Sequence, residues 1–128
     1  MAERLLIDTD VLVDYLRGYP AAVTWLEGLS DAPLLSSITV AELYAGVRDG
    51  EERTALDAFM LACEILPLDE QIAVKGGLFR RDYGKSHGVG LADALIAASA
   101  ETHQATLVSL NSKHFPMLAD IVSPYRKS

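Results

Sequence analysis

The chain has one cysteine, Cys63, among 128 residues, which excludes an intrachain disulfide and a cysteine-rich zinc site and fits a reducing compartment. Basic side chains are scarce as well. Eleven Lys and Arg stand against 18 Asp and Glu, a formal net charge of −7. That balance excludes broad electrostatic coating of nucleic acid, which runs on cationic side chains displacing counterions from phosphates. Any nucleic-acid contact must therefore come from a local site. No stretch approaches the roughly 18 apolar residues of a membrane span, and the opening Met1-Ala2-Glu3-Arg4 lacks the basic and apolar regions of a signal peptide. His87, His103 and His114 form no pair at metal-binding helical spacing, so zinc has no support. Gly84-Lys85-Ser86 looks like the tail of a P-loop, but the glycine required five positions earlier is Phe79. A dinucleotide fingerprint and a nucleophile elbow are missing too.

What is present is enough apolar material, 50% of residues, to bury a core within one compact domain over residues 1–128. The pattern is a βα alternation without internal repeats. Leu5-Leu6-Ile7 reads as a central parallel strand buried on both faces. Further strands are expected at Leu34 to Ser37, Glu64-Ile65-Leu66 and Thr106 to Ser109, with an edge strand at Ile121-Val122. Helices are expected over Val11 to Arg17, capped by Thr9 or Asp10, and over Ala21 to Leu29, with Pro20 in the first turn. Others run from Thr39 to Arg48, with Gly46 a tolerated interruption, and from Glu51 to Cys63. Asp69 caps a long helix reaching Gly84, the glycines of Gly84 to Gly90 mark a loop, and Ala92 to Gln104 forms the last helix. The alternation predicts an α/β domain with a mostly parallel sheet of four to five strands.

The informative residues are carboxylates in apolar company. Asp8 directly follows the first strand, at the carboxyl edge where open α/β sheets build their sites. Asp93 sits in the first turn of its helix, beside Ile96, Ala97 and Ala100 on one face, where a carboxylate is costly unless compensated. Glu42 lies one turn into the helix after the second strand, with only Ala45 and Gly46 beside it. All three fall just after a strand or in the first turn of a following helix, and a parallel sheet brings those points to one edge. An oxygen-only carboxylate cluster selects Mg²⁺ or Mn²⁺, ions suited to phosphodiester chemistry. Asn111, after the fourth strand, reaches the same edge and offers an amide oxygen. Lys75, Arg80, Arg81 and Lys85 form a basic run with one acid among them, Asp82, suited either to holding a polyanion or to forming a solvated helix face. Arg48, further along the helix of Glu42, can contact phosphate or pair with an acid.

Three blocks carry a family resemblance: Leu6-Ile7-Asp8-Thr9-Asp10-Val11-Leu12-Val13, Ser36-Ser37-Ile38-Thr39-Val40-Ala41-Glu42-Leu43, and Gly90-Leu91-Ala92-Asp93-Ala94-Leu95-Ile96-Ala97-Ala98. In this order and spacing they resemble a PIN-domain ribonuclease of the VapC toxin type, a likeness running from about Leu5 to Pro124. The resemblance implies a three-layer α/β/α domain and a Mg²⁺- or Mn²⁺-dependent endoribonuclease, cytoplasmic and dimeric, held inactive by a VapB-type antitoxin. It implies that Asp8, Glu42 and Asp93 are the metal-site acids, supported by Thr9 or Ser37. RNA hydrolysis would leave a 5′ phosphate and a 3′ hydroxyl, with Asp8 and Asp93 on the principal ion, Glu42 binding it or orienting water, and Asn111 assisting. The chain departs from the family once. In Ser109-Leu110-Asn111-Ser112-Lys113-His114-Phe115, His114 stands where a fourth acid is often found, which puts the second ion in question. Two rivals follow from the same residues. Asp8-Thr9-Asp10-Val11 also resembles the start of a haloacid-dehalogenase-type phosphatase, with Asp8 as nucleophile and Asp10 as general acid, although the length and the lone Asp93 count against it. His114 in turn suits a PIN-like module that binds RNA or protein without cutting.

Overall fold

A computed structural model of the chain describes residues 4–127. The elements follow in the order β1 (Leu5–Ile7), α1 (Thr9–Leu16), α2 (Pro20–Glu27), β2 (Leu34–Ser36), α3 (Ser37–Ala45), α4 (Glu51–Leu61), β3 (Glu64–Leu66), α5 (Glu70–His87), α6 (Leu91–Thr102), β4 (Thr106–Val108), a 3₁₀ turn (Ser112–His114) and β5 (Ile121–Val122). The five strands form one sheet in the order β3-β2-β1-β4-β5. Every pairing is parallel, with Leu6 opposite Leu34 on one side and Leu107 on the other. Among the described residues no helix is long and apolar enough to cross a membrane.

Side-chain alternation divides the core between two layers. Leu6, Leu34, Leu66 and Leu107 point to one face and meet Ile96, Ala97 and Ala100 of α6 together with Phe115. Ile7, Leu35 and Val108, each one residue further on, point to the other face and pack on Val11 and Leu12 of α1, Leu26 of α2, Leu43 of α3 and Leu56 of α4. Each fully buried leucine contributes about 2 kcal/mol. Two covered faces explain why the strands read as continuous apolar runs. The helices α5 and α6 are closely apposed at Gly76, where a Cβ would stand 2.5 Å from Leu95 Cδ2 and 3.1 Å from Leu95 Cα.

Several boundaries move from those expected, each for a local reason. Asp8 itself caps α1, its Oδ1 accepting from the Thr9 amide at 2.8 Å, so the helix starts before Val11. Ser36 Oγ accepts from the Ile38 amide, so α3 begins at Ser37, and Gly46 is its C-cap rather than an interior interruption. Asp69 caps α5 as expected. That helix passes straight through Gly84 to His87, which overturns the loop reading of Gly84 to His87. Edge contacts of Phe79 with Tyr83 and of Tyr83 with His87, each one turn apart, span the glycine. The stop comes at Gly88, whose φ of +66° is the left-handed conformation that glycine adopts without a Cβ penalty.

Candidate active site at the sheet switch point

Chain order reverses across β1, with β2 on one side and β4 on the other, and the carboxyl ends of these strands bound the switch-point crevice of an open α/β sheet. Asp8 leaves β1 there, its amide still bonded to Val108 O at 2.9 Å. Its carboxyl is buried, 6% exposed. Oδ2 accepts from Ser109 Oγ at 2.7 Å, just past β4, while Oδ1 is the α1 cap. Burial first, then the charge of Asp10, raise its pKa to about 7, and Asp93 adds to the rise against the lowering effect of the Ser109 and Thr9 bonds. Among the described residues no Lys or Arg lies within ion-pair distance of this carboxyl.

Asp10 belongs to the same cluster. Its oxygens accept from the Val11 amide at 2.7 Å and the Leu110 amide at 3.1 Å, and burial foremost raises its pKa, with Asp14 and Asp93 adding. Asp93, half-buried in the first turn of α6, is raised by burial, while His114 opposes and Glu42 adds to the rise. His114 Nδ1 stands 3.3 Å from Asp93 Oδ2, so a histidine pairs with this acid in place of a further carboxylate. Glu42 is exposed on α3, and Thr9 donates from Oγ1 to its Oε1 at 2.6 Å while lying 3.2 Å from Thr39 Oγ1. Thr9 thus reaches Glu42, one of the acids it was expected to support. Ser37 is elsewhere engaged. Its Oγ donates to Leu66 O at 2.8 Å and ties α3 to β3, not to a carboxylate.

Asn111 lies at this edge through its backbone, its amide donating to Ser109 Oγ at 3.0 Å and its carbonyl accepting from the His114 amide. The basic residues are more dispersed. Arg48 pairs with Glu52 at 2.6 Å, not with Glu42, Lys75 pairs with Glu101 at 2.7 Å, and Arg81 with Asp82 at 2.8 Å. Arg80 and Lys85 are exposed on α5. Sequence reasoning missed Ser109 as the partner of Asp8 and gave Asp10 to the metal-site reading in no role. Each had a visible signal, a polar residue at the end of a buried strand and a second acid two positions after the first.

The donor set is chemically suited to a hard divalent cation. It is all oxygen and net anionic, and each Asp8 oxygen accepts one hydrogen bond and keeps a lone pair free. A buried carboxyl raised to about 7 is one that a cation would stabilise in its charged form. Among the described residues no three His, Cys, Asp or Glu side chains converge at metal-holding distance.

The PIN-domain family model matches residues 5–120, and the chain belongs to the PIN-domain family. Within it, the chain is similar to ribonuclease VapC19 of Mycobacterium tuberculosis, 43% identical over 124 residues that cover 94% of this chain and 98% of that one. Ribonuclease VapC10 of the same organism is 39% identical over 94% of this chain and 92% of its own. Among solved structures, a toxin–antitoxin complex from Klebsiella pneumoniae contains a chain that superposes with a TM-score of 0.83 at 27% identity, covering 96% of this chain and 99% of that one. The phosphatase alternative finds no counterpart in this family assignment.

Proposed function

We propose that the chain is a divalent-metal-dependent endoribonuclease and the toxin of a VapBC-type toxin–antitoxin pair. The observation that carries this reading is Asp8, a buried, uncompensated carboxyl at the switch point of a parallel sheet, with Asp10 and Asp93 adding negative potential. Similarity to two VapC ribonucleases over nearly the whole chain supports RNA as the substrate. The toxin–antitoxin complex among the structural neighbours supports an antitoxin partner. A homodimer in the cytoplasm is part of the same reading, and the exposed Val74 and Leu78 of α5 offer an apolar face for a second copy.

Asp8 and Asp93 would hold the principal cation, Mg²⁺ or Mn²⁺, and Glu42 would either join them or orient the attacking water. Such an ion, when bound, makes water a better nucleophile and offsets charge on the phosphate. The remaining work belongs to the chain. Ser109 and the Thr9 amide fix the Asp8 carboxylate in one orientation, Thr9 Oγ1 restrains Glu42, and Asn111 assists through its amide oxygen. His114 beside Asp93 lowers that carboxyl's proton affinity against the effect of burial, as the missing acid would not.

The test is to express the chain with and without its neighbouring reading frame and to map the 5′ ends of cellular RNA. Discrete cuts that vanish on chelation and in Asp8→Asn are expected, and cuts that persist in both refute the assignment. Metal-independent RNA binding with no cleavage would favour the non-cleaving module. Because His114 replaces an acid, the free protein is expected to bind one Mn²⁺ firmly, with a second entering alongside a non-cleavable RNA. Two tightly held ions in the RNA-free protein would contradict that count.

A further inference from the structure

Beside the carboxylates lies a cleft of about 690 Å³ between α1, the segment after β4 and the chain that follows β5, within the usual size of ligand sites. Asp10 and Asn111 line it, as do Arg17, just past the end of α1, and Arg126 and Lys127 of the terminal segment. Gathering three cations around one cleft is notable in a chain with only 11. Lys127 is already engaged, with Nζ 2.9 Å from Asp14 Oδ1 and 5.3 Å from the Tyr19 ring centre. Arg17 and Arg126 are exposed and, among the described residues, have no carboxylate within ion-pair distance.

The wall that carries Arg126 is fastened in place. Residues 123–127 have no regular secondary structure, yet Tyr125 donates from its hydroxyl to Asp14 Oδ2 at 2.8 Å, and its ring lies 5.7 Å from that of Tyr19. Lys127 donates to the same carboxylate. Arg126 therefore stands between two anchored neighbours. By contrast, Lys75 and Arg81 of the α5 basic run are already paired with acids on their own surface.

Resting on the ribonuclease reading above, we infer that this cleft seats the RNA backbone next to the scissile bond, with Arg17 and Arg126 as phosphate-positioning residues. Asp10 and Asn111, which line the cleft, lie at the same sheet edge as Asp8. A polynucleotide chain leaving the reacting phosphate enters the cleft with its next phosphates. An acidic peptide is the less suitable occupant, because nothing requires it to begin at the carboxylates, whereas RNA is held there by its scissile phosphate.

The test uses the full chain carrying Asp8→Asn, with Mg²⁺, and a labelled single-stranded oligoribonucleotide of mixed sequence followed by fluorescence anisotropy across a salt series. Arg17→Gln with Arg126→Gln is expected to weaken binding about tenfold at roughly 0.15 M salt. It is also expected to reduce the slope of log affinity against log salt by about 1.4, since each lost single-strand phosphate contact removes about 0.7. Arg53→Gln, whose residue pairs with Asp57 on α4, leaves both quantities unchanged. In the Asp8-intact enzyme the double variant raises KM and keeps kcat, with a thermal melt lowered only slightly, through the lost Arg17 charge near Asp14. Unchanged affinity and slope overturn the inference, as does an equal loss in Arg53→Gln. Intact RNA binding with lost binding of polyglutamate would make the cleft a protein-docking surface instead. An Asp8-intact chain that neither binds nor cuts RNA sinks the ribonuclease reading itself, whereas one that cuts RNA with no change in the double variant sinks only the inference.

Discussion

Asp8 and Asp14 lie on one short strand–helix segment and both are buried, yet the fold treats them in opposite ways. Around Asp14 burial again acts to raise the pKa, but hydrogen bonds from Lys127 and Tyr125 and the Lys127 and Arg17 charges outweigh it and leave the carboxyl below its ordinary range. Around Asp8 the donors among the described residues are a neutral hydroxyl and one amide, burial and the charges of Asp10 and Asp93 act against ionisation, and the pKa climbs to about 7. One aspartate is completed by the protein and works as a clamp. The other is left incomplete, which in a folded protein is tolerated where a ligand supplies the missing charge. The contrast separates a structural acid from a candidate metal ligand without reference to any relative.

The largest test of this contrast is on catalysis. Asp8→Asn keeps the shape and the oxygen that caps α1, turns the contact with Ser109 Oγ into a donated bond and removes the charge that would hold the cation, and RNA cleavage should fall roughly a thousandfold, equivalent to about 4 kcal/mol of transition-state stabilisation. Single-turnover cleavage of a labelled RNA measures it, and a drop below tenfold would falsify the role given to Asp8. Asp14→Asn, in the same assay, should leave the chemical step nearly intact.

Stability should divide the two residues in the other direction. The folded-state pKa of Asp8 is raised from 3.8 to about 7, so its contribution is fully present below pH 3.8 and is lost as pH rises through 7. In metal-free buffer at pH 8, Asp8→Asn should therefore be the more stable protein, by up to about 4 kcal/mol. Added Mn²⁺ should stabilise the parent more at pH 8 than at pH 6, because the ligand must be deprotonated. Asp14 has the reverse sign. Its pKa is lowered, so its contribution is present above pH 3.8 and disappears as pH falls through the folded-state value. Asp14→Asn should cost about 1–2 kcal/mol near neutrality, because its one amide oxygen cannot accept from both Tyr125 and Lys127, with the charge part of the Lys127 contact weakened by its half-exposure. Urea melts of both variants across pH give the two slopes, and slopes of the same sign would dissolve the comparison.

The smallest effect concerns Thr9, which touches the incomplete side only. Thr9→Val removes the donor to Glu42 Oε1 and should lower kcat about tenfold, near 1.4 kcal/mol, with the melt little altered. A loss in stability without a loss in kcat would make Thr9 a packing residue.

Much of this was legible in the chain itself. Leu5-Leu6-Ile7, Glu64-Ile65-Leu66 and Ile121-Val122 are the strands they read as, because short apolar runs bounded by polar residues have few other uses in an α/β pattern. Asp8 and Asp93 stood out because a charge in apolar company is costly, and that cost is a property of the local sequence. The caps were less legible, since Asp8, Thr9 and Asp10 are all competent and only backbone geometry selects among them. Gly84 misled for a related reason. Glycine marks a break only when its neighbours do not carry the helix across, and here Phe79, Tyr83 and His87 do.

The sequence by itself determined the alternation of elements, the two-faced burial of the sheet and the identity of the acids, because hydrophobic period and residue type act over a few positions. Only the tertiary structure decided which acid is completed and which is not. Asp14 is matched by Tyr125 and Lys127, and Asp8 by Ser109, across more than 100 residues of chain. Contacts of that range depend on strand order, and it is strand order that turned a helix acid and a strand-end acid of one segment into a clamp and a candidate metal ligand.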